Sequence, residues 1–305
     1  MSESSSARCR EGENMSDRNL VLYEKDRETH IARVTLNRPD KMNAMTTSMY
    51  DVFCEHLDDA ATDDAIKVVI LKGADNVFSA GQDLNEVYDW YSTPGDRRRP
   101  SQRRRLTVDR KTFTQYHELL FHNKVTIAQV EGVALGGGLE FAMSCDLAVV
   151  AQGTKIGMPA ARFLGPVLGD LHLFFHRLGP VLAKDLLLTG RQVGIDEVAH
   201  LGLFTKIVPP ERLEAETEQL AATVSRMPAD GIVIAKEAYR LVEESMGMGL
   251  SHVSSYLLHA FGTNLRFEDD EFNFVKTREA LGTTKAFDMR DEFYEAPPAA
   301  KVGGE

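Results

Sequence analysis

The chain has 305 residues, a formal net charge of -11 and a sequence pI near 5.4. It is long enough to bury a full core, as one large domain or as one domain with a smaller appendage. Its acidic balance excludes a protein built throughout to neutralise a phosphate backbone or an anionic membrane surface. No run of roughly 18 apolar residues occurs, so no membrane-spanning helix is expected. Cys9, Cys54 and Cys145 are sparse and lack metal-ligand spacing, which predicts reduced thiols, no metal site and a cytoplasmic setting.

In chain order, residues 1–18 have no apolar core and read as a disordered leader. LVLYEKDRETHIARVTLNRP, residues 20–39, alternates like two short strands around a polar turn. Residues 46–61 carry Met49, Val52, Phe53 and Leu57 at helical spacing behind capping hydroxyls. IKVVILKG, VTIAQVEG and DLAVVAQ are short β-branched runs of the kind buried on both faces of a sheet, and TFTQYHELLFHN between the first two reads as helical. The alternation predicts a largely parallel sheet with crossover helices. From about residue 180 onward the periodicity is helical.

DRRRPSQRRR, residues 96–105, is a local basic run with six arginines. A solvated insertion is the expected reading, and a phosphate-binding patch the alternative. Two strand-to-helix junctions bear on chemistry. In FSAGQDL, Gly81 permits a turn that presents the Gln82 N–H. In EGVALGGGLEFAMSCD, Gly136, Gly137 and Gly138 open a helix whose first N–H groups are unpaired and uncovered by side chains. Close packing of helix on strand is the competing explanation for the glycines, and favourable charge against the helix dipole the competing one for Glu140. Neither junction has the spacing of a dinucleotide or phosphate loop.

Taken together, LNRPDKMNAM (36–45), FSAGQDLNE (78–86), EGVALGGGLEFAMSCDLAVVA (131–151), KIGMPAAR (155–162) and LLLTGRQVGIDEVAHLGLFTKIV (186–208) resemble the crotonase family, the enoyl-CoA hydratase and isomerase superfamily. The likeness runs from about residue 19 to 265. It implies an α/β fold, a crotonase-like spiral of ββα turns over 19–208, with a helical C-terminal trimerisation region over 209–305. It also implies an acyl-CoA thioester substrate, no separate cofactor, and a homotrimer or a hexamer made as a dimer of trimers; nucleic acid and membrane are not expected partners.

By position, the resemblance assigns the thioester oxygen to the N–H groups of Gln82 and Gly137. Lys41, Met42, Ala80, Asp83, Leu84 and Asn85 fall where family members contact CoA. Glu140 matches the first of two catalytic glutamates, whereas Ala160 replaces the second. Asp170 and His172 are candidate auxiliary groups, a helix-capping Asp170 and a partly buried His172 or His176 being the alternative. An apolar setting with no like-charged neighbour predicts that the Glu140 pKa is raised. Tyr88, Trp90, Tyr91, Phe113 and Tyr116 are expected to wall the acyl pocket, and Lys276 or Lys285 to be surface residues unless one meets a neighbour's CoA phosphate.

The expected activity is that of an acyl-CoA lyase or isomerase, a hydratase or dehydratase by default, with Glu140 as principal acid/base. Alternatives are a thioester or ring-cleaving hydrolase, a carbon–carbon-cleaving or decarboxylating enzyme, and a non-catalytic CoA- or RNA-binding subunit.

Overall fold

The computed structural model describes residues 18–92 and 100–294, without the side chains of Val87 and Tyr88. Residues 1–17 of the leader expected over 1–18 and the arginines at 97–99 lie outside the described residues, as does the Tyr88 side chain. A hairpin opens the fold: β1 (Val21–Asp26) pairs antiparallel with β2 (Ile31–Leu36). Helix α1 (Thr47–Thr62) follows, capped by Thr46, whose hydroxyl accepts from the Met49 N–H. β3 (Val68–Gly73), β4 (Val125–Val130), β6 (Leu147–Ala151) and β9 (Lys206–Val208) then add parallel strands, giving the order β1-β2-β3-β4-β6-β9. A smaller sheet joins β5 (Val133–Leu135), β7 (Lys155–Gly157) and β8 (Gln192–Gly194).

The continuous apolar runs of β3, β4 and β6 reflect burial on both faces. One face carries the main core, where Phe53, Phe78 and Phe141 are fully buried against α1, α3 (Gln102–Leu120), α4 (Gly137–Ser144) and α6 (Leu171–Thr189). The other face packs Ile70, Ile127 and Val149 against Leu213 and Ala221 of α8 (Leu213–Ser225). Short helices α2 (Leu84–Tyr91), α5 (Ala161–Leu164) and α7 (Ile195–Val198) fill the connections. The chain ends in α9 (Ala229–Ser245), α10 (Ser251–Gly262), α11 (Phe274–Leu281) and α12 (Thr283–Tyr294). This is the expected mixed α/β body with a helical final third.

Two expectations are corrected. The basic run is not wholly a loop, because Arg103, Arg104 and Arg105 form the first turn of α3, a helix capped by Ser101 and longer than TFTQYHELLFHN. Arg105 also lies over the Tyr91 ring and donates to the Thr263 hydroxyl, so it is anchored rather than solvated. Nor is the chain helical throughout beyond residue 180, since β8 and β9 lie there; of the two histidines, His172 is the half-buried one and His176 is exposed. Among the described residues no helix is long and apolar enough to cross a membrane.

Candidate active site

Three backbone segments are stitched together where the two glycine junctions meet. Phe78 and Ser79 donate to Glu131 O and Val133 O at 2.8 and 3.0 Å, and Leu135 N–H returns to Ser79 O at 3.0 Å. Met45 N–H donates to Gly81 O at 2.7 Å, and Asp83 N–H to Met45 O at 2.9 Å. Asn43, fully buried, ties the same corner by donating to Ala74 O and Val77 O at 3.0 and 2.6 Å. Gly81 has φ +94°, and a Cβ there would stand 2.8 Å from Gly137 N, so glycine is required both for the turn and for contact between the two junctions.

That approach brings Gly81, the residue before Gln82, against the start of α4 at Gly137. Gln82 N–H and Gly137 N–H, at the start of α4, have no protein acceptor among the described residues. The other glycines of the triplet answer the packing question separately. Gly136 adopts φ +54° as the turn into the helix, and a Cβ on Gly138 would meet Ser79 O at 2.3 Å. Close packing and amide presentation therefore coexist, on neighbouring residues.

Glu140 lies one turn into α4 and is 6% exposed. Its Oε1 accepts from the Asp170 N–H at 2.8 Å and packs on Gly169, where a Cβ would come within 2.6 Å of it. Burial raises its pKa from 4.5 to about 8, against the lowering effect of the Asp170 N–H. The raised pKa matches expectation; the absence of a like-charged neighbour does not, since the Asp170 carboxylate adds a small upward push.

Asp170 caps α6, its Oδ1 accepting from Leu173 N–H at 3.1 Å. Its Oδ2 is 3.1 Å from His117 Nε2 and accepts from the Ser251 hydroxyl. Burial works against the ionised form, but these partners hold the carboxyl below the usual aspartate range. Both oxygens are thus engaged, and what Asp170 presents to Glu140 is its backbone N–H. His172 is turned elsewhere, its Nδ1 3.1 Å from the Ser254 hydroxyl on α10. His117 and Ser251 had no signal in the sequence, as they lie 53 and 81 residues from Asp170.

Of the other sequence-predicted residues, Ala80 donates its N–H to Met42 O at 2.9 Å, and Lys41 and Met42 are exposed beside it. The Asp83 carboxylate is 2.6 Å from Arg38 Nη1 and accepts from the Asn85 N–H at 2.7 Å. Leu84 packs near the Phe163–Phe274 cluster, and Ala160, in the place of a second glutamate, is an apolar contact on the same cluster. Lys276 and Lys285 are exposed. Among the expected aromatic wall residues, Phe113 and Tyr116 are 3% exposed, Trp90 and Tyr91 half-buried. Tyr50, unmarked in the sequence because it shares an apolar helix face, joins them: its hydroxyl is 2.8 Å from that of Tyr116.

Comparison with known proteins identifies the family of the chain. The pattern of the enoyl-CoA hydratase/isomerase family matches residues 26–281. A probable enoyl-CoA hydratase of Mycobacterium bovis is 33% identical over 246 residues, covering 80% of this chain and 90% of its own. A 2,3-dehydroadipyl-CoA hydratase of Escherichia coli is 30% identical over 221 residues, 72% of this chain and 81% of its own. Among solved structures, an enoyl-CoA hydratase/isomerase from Xanthobacter autotrophicus Py2 superposes with TM-score 0.79 at 26% identity, over 91% of this chain and 99% of the other. With its stitched glycine junctions and buried Glu140, the chain belongs to the enoyl-CoA hydratase/isomerase family of the crotonase superfamily.

Proposed function

We propose that the protein acts on an acyl-CoA thioester, whose carbonyl oxygen is held by Gln82 N–H and Gly137 N–H while Glu140 moves a proton at the acyl chain. The observation that carries this reading is the close approach of Gly81 to Gly137, at two junctions whose Gln82 and Gly137 N–H groups have no acceptor among the described residues, with the carboxyl of Glu140 buried one turn on and raised in pKa. Removing a proton next to the carbonyl drives negative charge onto the thioester oxygen. Preoriented N–H donors in a dry site stabilise that charge by about 3–4 kcal/mol each. Glu140, held by Asp170 N–H, is placed to serve as base and then as acid.

Ala160 supplies no second carboxylate, and Asp170 has both oxygens engaged. A reaction needing one proton carrier, such as isomerisation, decarboxylation or carbon–carbon cleavage, therefore fits this chain better than the two-carboxylate addition of water. Lys41, Met42 and the 80–85 segment are the proposed CoA border. Assembly into trimers is supported by apolar side chains left exposed on α9 and α10, among them Ile234 69%, Leu241 70% and Phe261 79% exposed. A cytoplasmic setting fits the reduced thiols Cys54 and Cys145.

The test is incubation with a panel of acyl-CoAs, including branched, aromatic and cyclic enoyl forms, with products followed by mass. Isomerisation leaves the mass unchanged, hydration adds a water, and decarboxylation removes carbon dioxide. Release of free CoA in every productive case would instead support the hydrolase alternative.

A further inference from the structure

Tyr116 on α3 and Tyr50 on α1 meet beside the amide pair. Their rings and that of Phe141 form one packed group, with Tyr116–Phe141 centroids 4.9 Å apart and Tyr50–Phe141 centroids 5.7 Å apart. A Cβ added to Gly137 would stand 2.3 Å from Tyr116 Oη and 3.5 Å from Tyr50 Oη. The Tyr116 hydroxyl therefore occupies the space a side chain at 137 would fill. Gly137 opens α4, so this hydroxyl lies beside the helix start at which the Gly137 N–H has no acceptor among the described residues.

The surroundings converge on the same atom. The Gln82 side-chain amide acts on both phenols, and Glu140 disfavours negative charge on both. Burial pushes the Tyr116 hydroxyl well above its ordinary 10, and Tyr50 upward as well. Each is accordingly a neutral phenol at physiological pH, able to donate a hydrogen bond and unsuited to act as a base.

We propose that Tyr116 Oη–H is a third donor to the thioester oxygen, aligned by Tyr50 and the Gln82 side chain. This deepens the proposed acyl-CoA reading and rests on it. In the proton-transfer step, the Glu140 carboxylate takes a proton from the acyl carbon. The C–H electron pair becomes the enolate double bond, and the carbonyl π pair moves to oxygen. Tyr116 keeps its proton throughout and shares it with that oxygen. Such a donor answers charge on the carbonyl rather than handling water, which favours enolate chemistry in a site with a single carboxylate.

The experiment uses acetoacetyl-CoA, a thioester whose enolate has its own ultraviolet absorbance, so the natural acyl group need not be known. Wild-type protein is expected to bind it and raise the enolate band. Tyr116→Phe should bind with a similar dissociation constant but show the band only at a pH higher by about one to two units, a ten- to hundredfold loss of enolate stabilisation. Tyr50→Phe, which keeps the Tyr116 hydroxyl without its anchor, should shift the band by less. Unchanged pH dependence of the band in folded Tyr116→Phe would overturn the proposal; were that variant unfolded, an unchanged band in Tyr50→Phe would overturn it instead. Failure of the wild type to bind acetoacetyl-CoA would contradict the acyl-CoA reading itself, and the proposal with it.

Discussion

The proposed acid/base role of Glu140 is testable through its raised pKa. As a base it must be ionised, so kcat/KM with any productive acyl-CoA should rise with pH through about 8. Glu140→Gln should remove that limb and lower kcat by about 10²- to 10⁴-fold, while its amide oxygen keeps the Asp170 N–H contact. The same shift has a stability consequence. A carboxyl whose folded pKa is raised favours the folded state while protonated, so its contribution is full below 4.5 and is lost as pH rises toward about 8. Wild-type stability relative to Glu140→Gln should therefore fall across that window, by at most about 1.4 kcal/mol per pH unit, in urea titrations at successive pH values. Equal slopes for the two proteins would show that Glu140 is not desolvated.

At the scale of elements, the glycine triplet has three different tasks, and substitutions should separate them. An alanine at 138 would drive a Cβ into the backbone oxygen of Ser79, which β5 pairing holds fast. Gly138→Ala should cost about 1–3 kcal/mol of stability in chemical denaturation. At 137 the obstacle is a tyrosine hydroxyl, so Gly137→Ala should impair the site more than the fold, with kcat reduced before the unfolding midpoint moves. The sequence made the junctions themselves legible, because Gly81 announces one turn, and Gly136 and Glu140 announce helix start and carboxylate in one short reach. It also made β3, β4 and β6 legible, as runs buried on both faces need no partner to be recognised, whereas the three-residue β9 is too short to stand out from its helical surroundings. What it could not convey was cross-chain pairing. Tyr50 and Tyr116 are 66 residues apart, and each reads locally as a buried aromatic. The Asp170 contacts with His117 and Ser251 likewise exist only once α3, α6 and α10 pack together. The start of α3 was misread for a related reason, since Arg103–Arg105 look like a solvated charge block until Tyr91 and Thr263 give Arg105 a place to bind.

Over the whole molecule, a largely parallel sheet buried on both faces carries both junctions, with α8 packed on one face and α10 against α3. If the proposed trimer forms through the exposed apolar side chains of α9 and α10, sedimentation of the purified protein should give a mass that is a multiple of three chains of 33.9 kDa. A charged substitution there, Leu241→Asp, should shift the protein toward monomer, and persistence of the assembly would locate the interface elsewhere. The central claim is that Glu140 exchanges a proton with the acyl carbon of a thioester held by backbone amides. It is tested most directly by incorporation of deuterium from heavy water into acyl-CoAs, read by mass spectrometry for wild type and Glu140→Gln side by side. The account predicts incorporation by the wild type and a loss of about a hundredfold or more in the variant, with acyl-CoA binding retained. Incorporation by folded Glu140→Gln at the wild-type rate would contradict it.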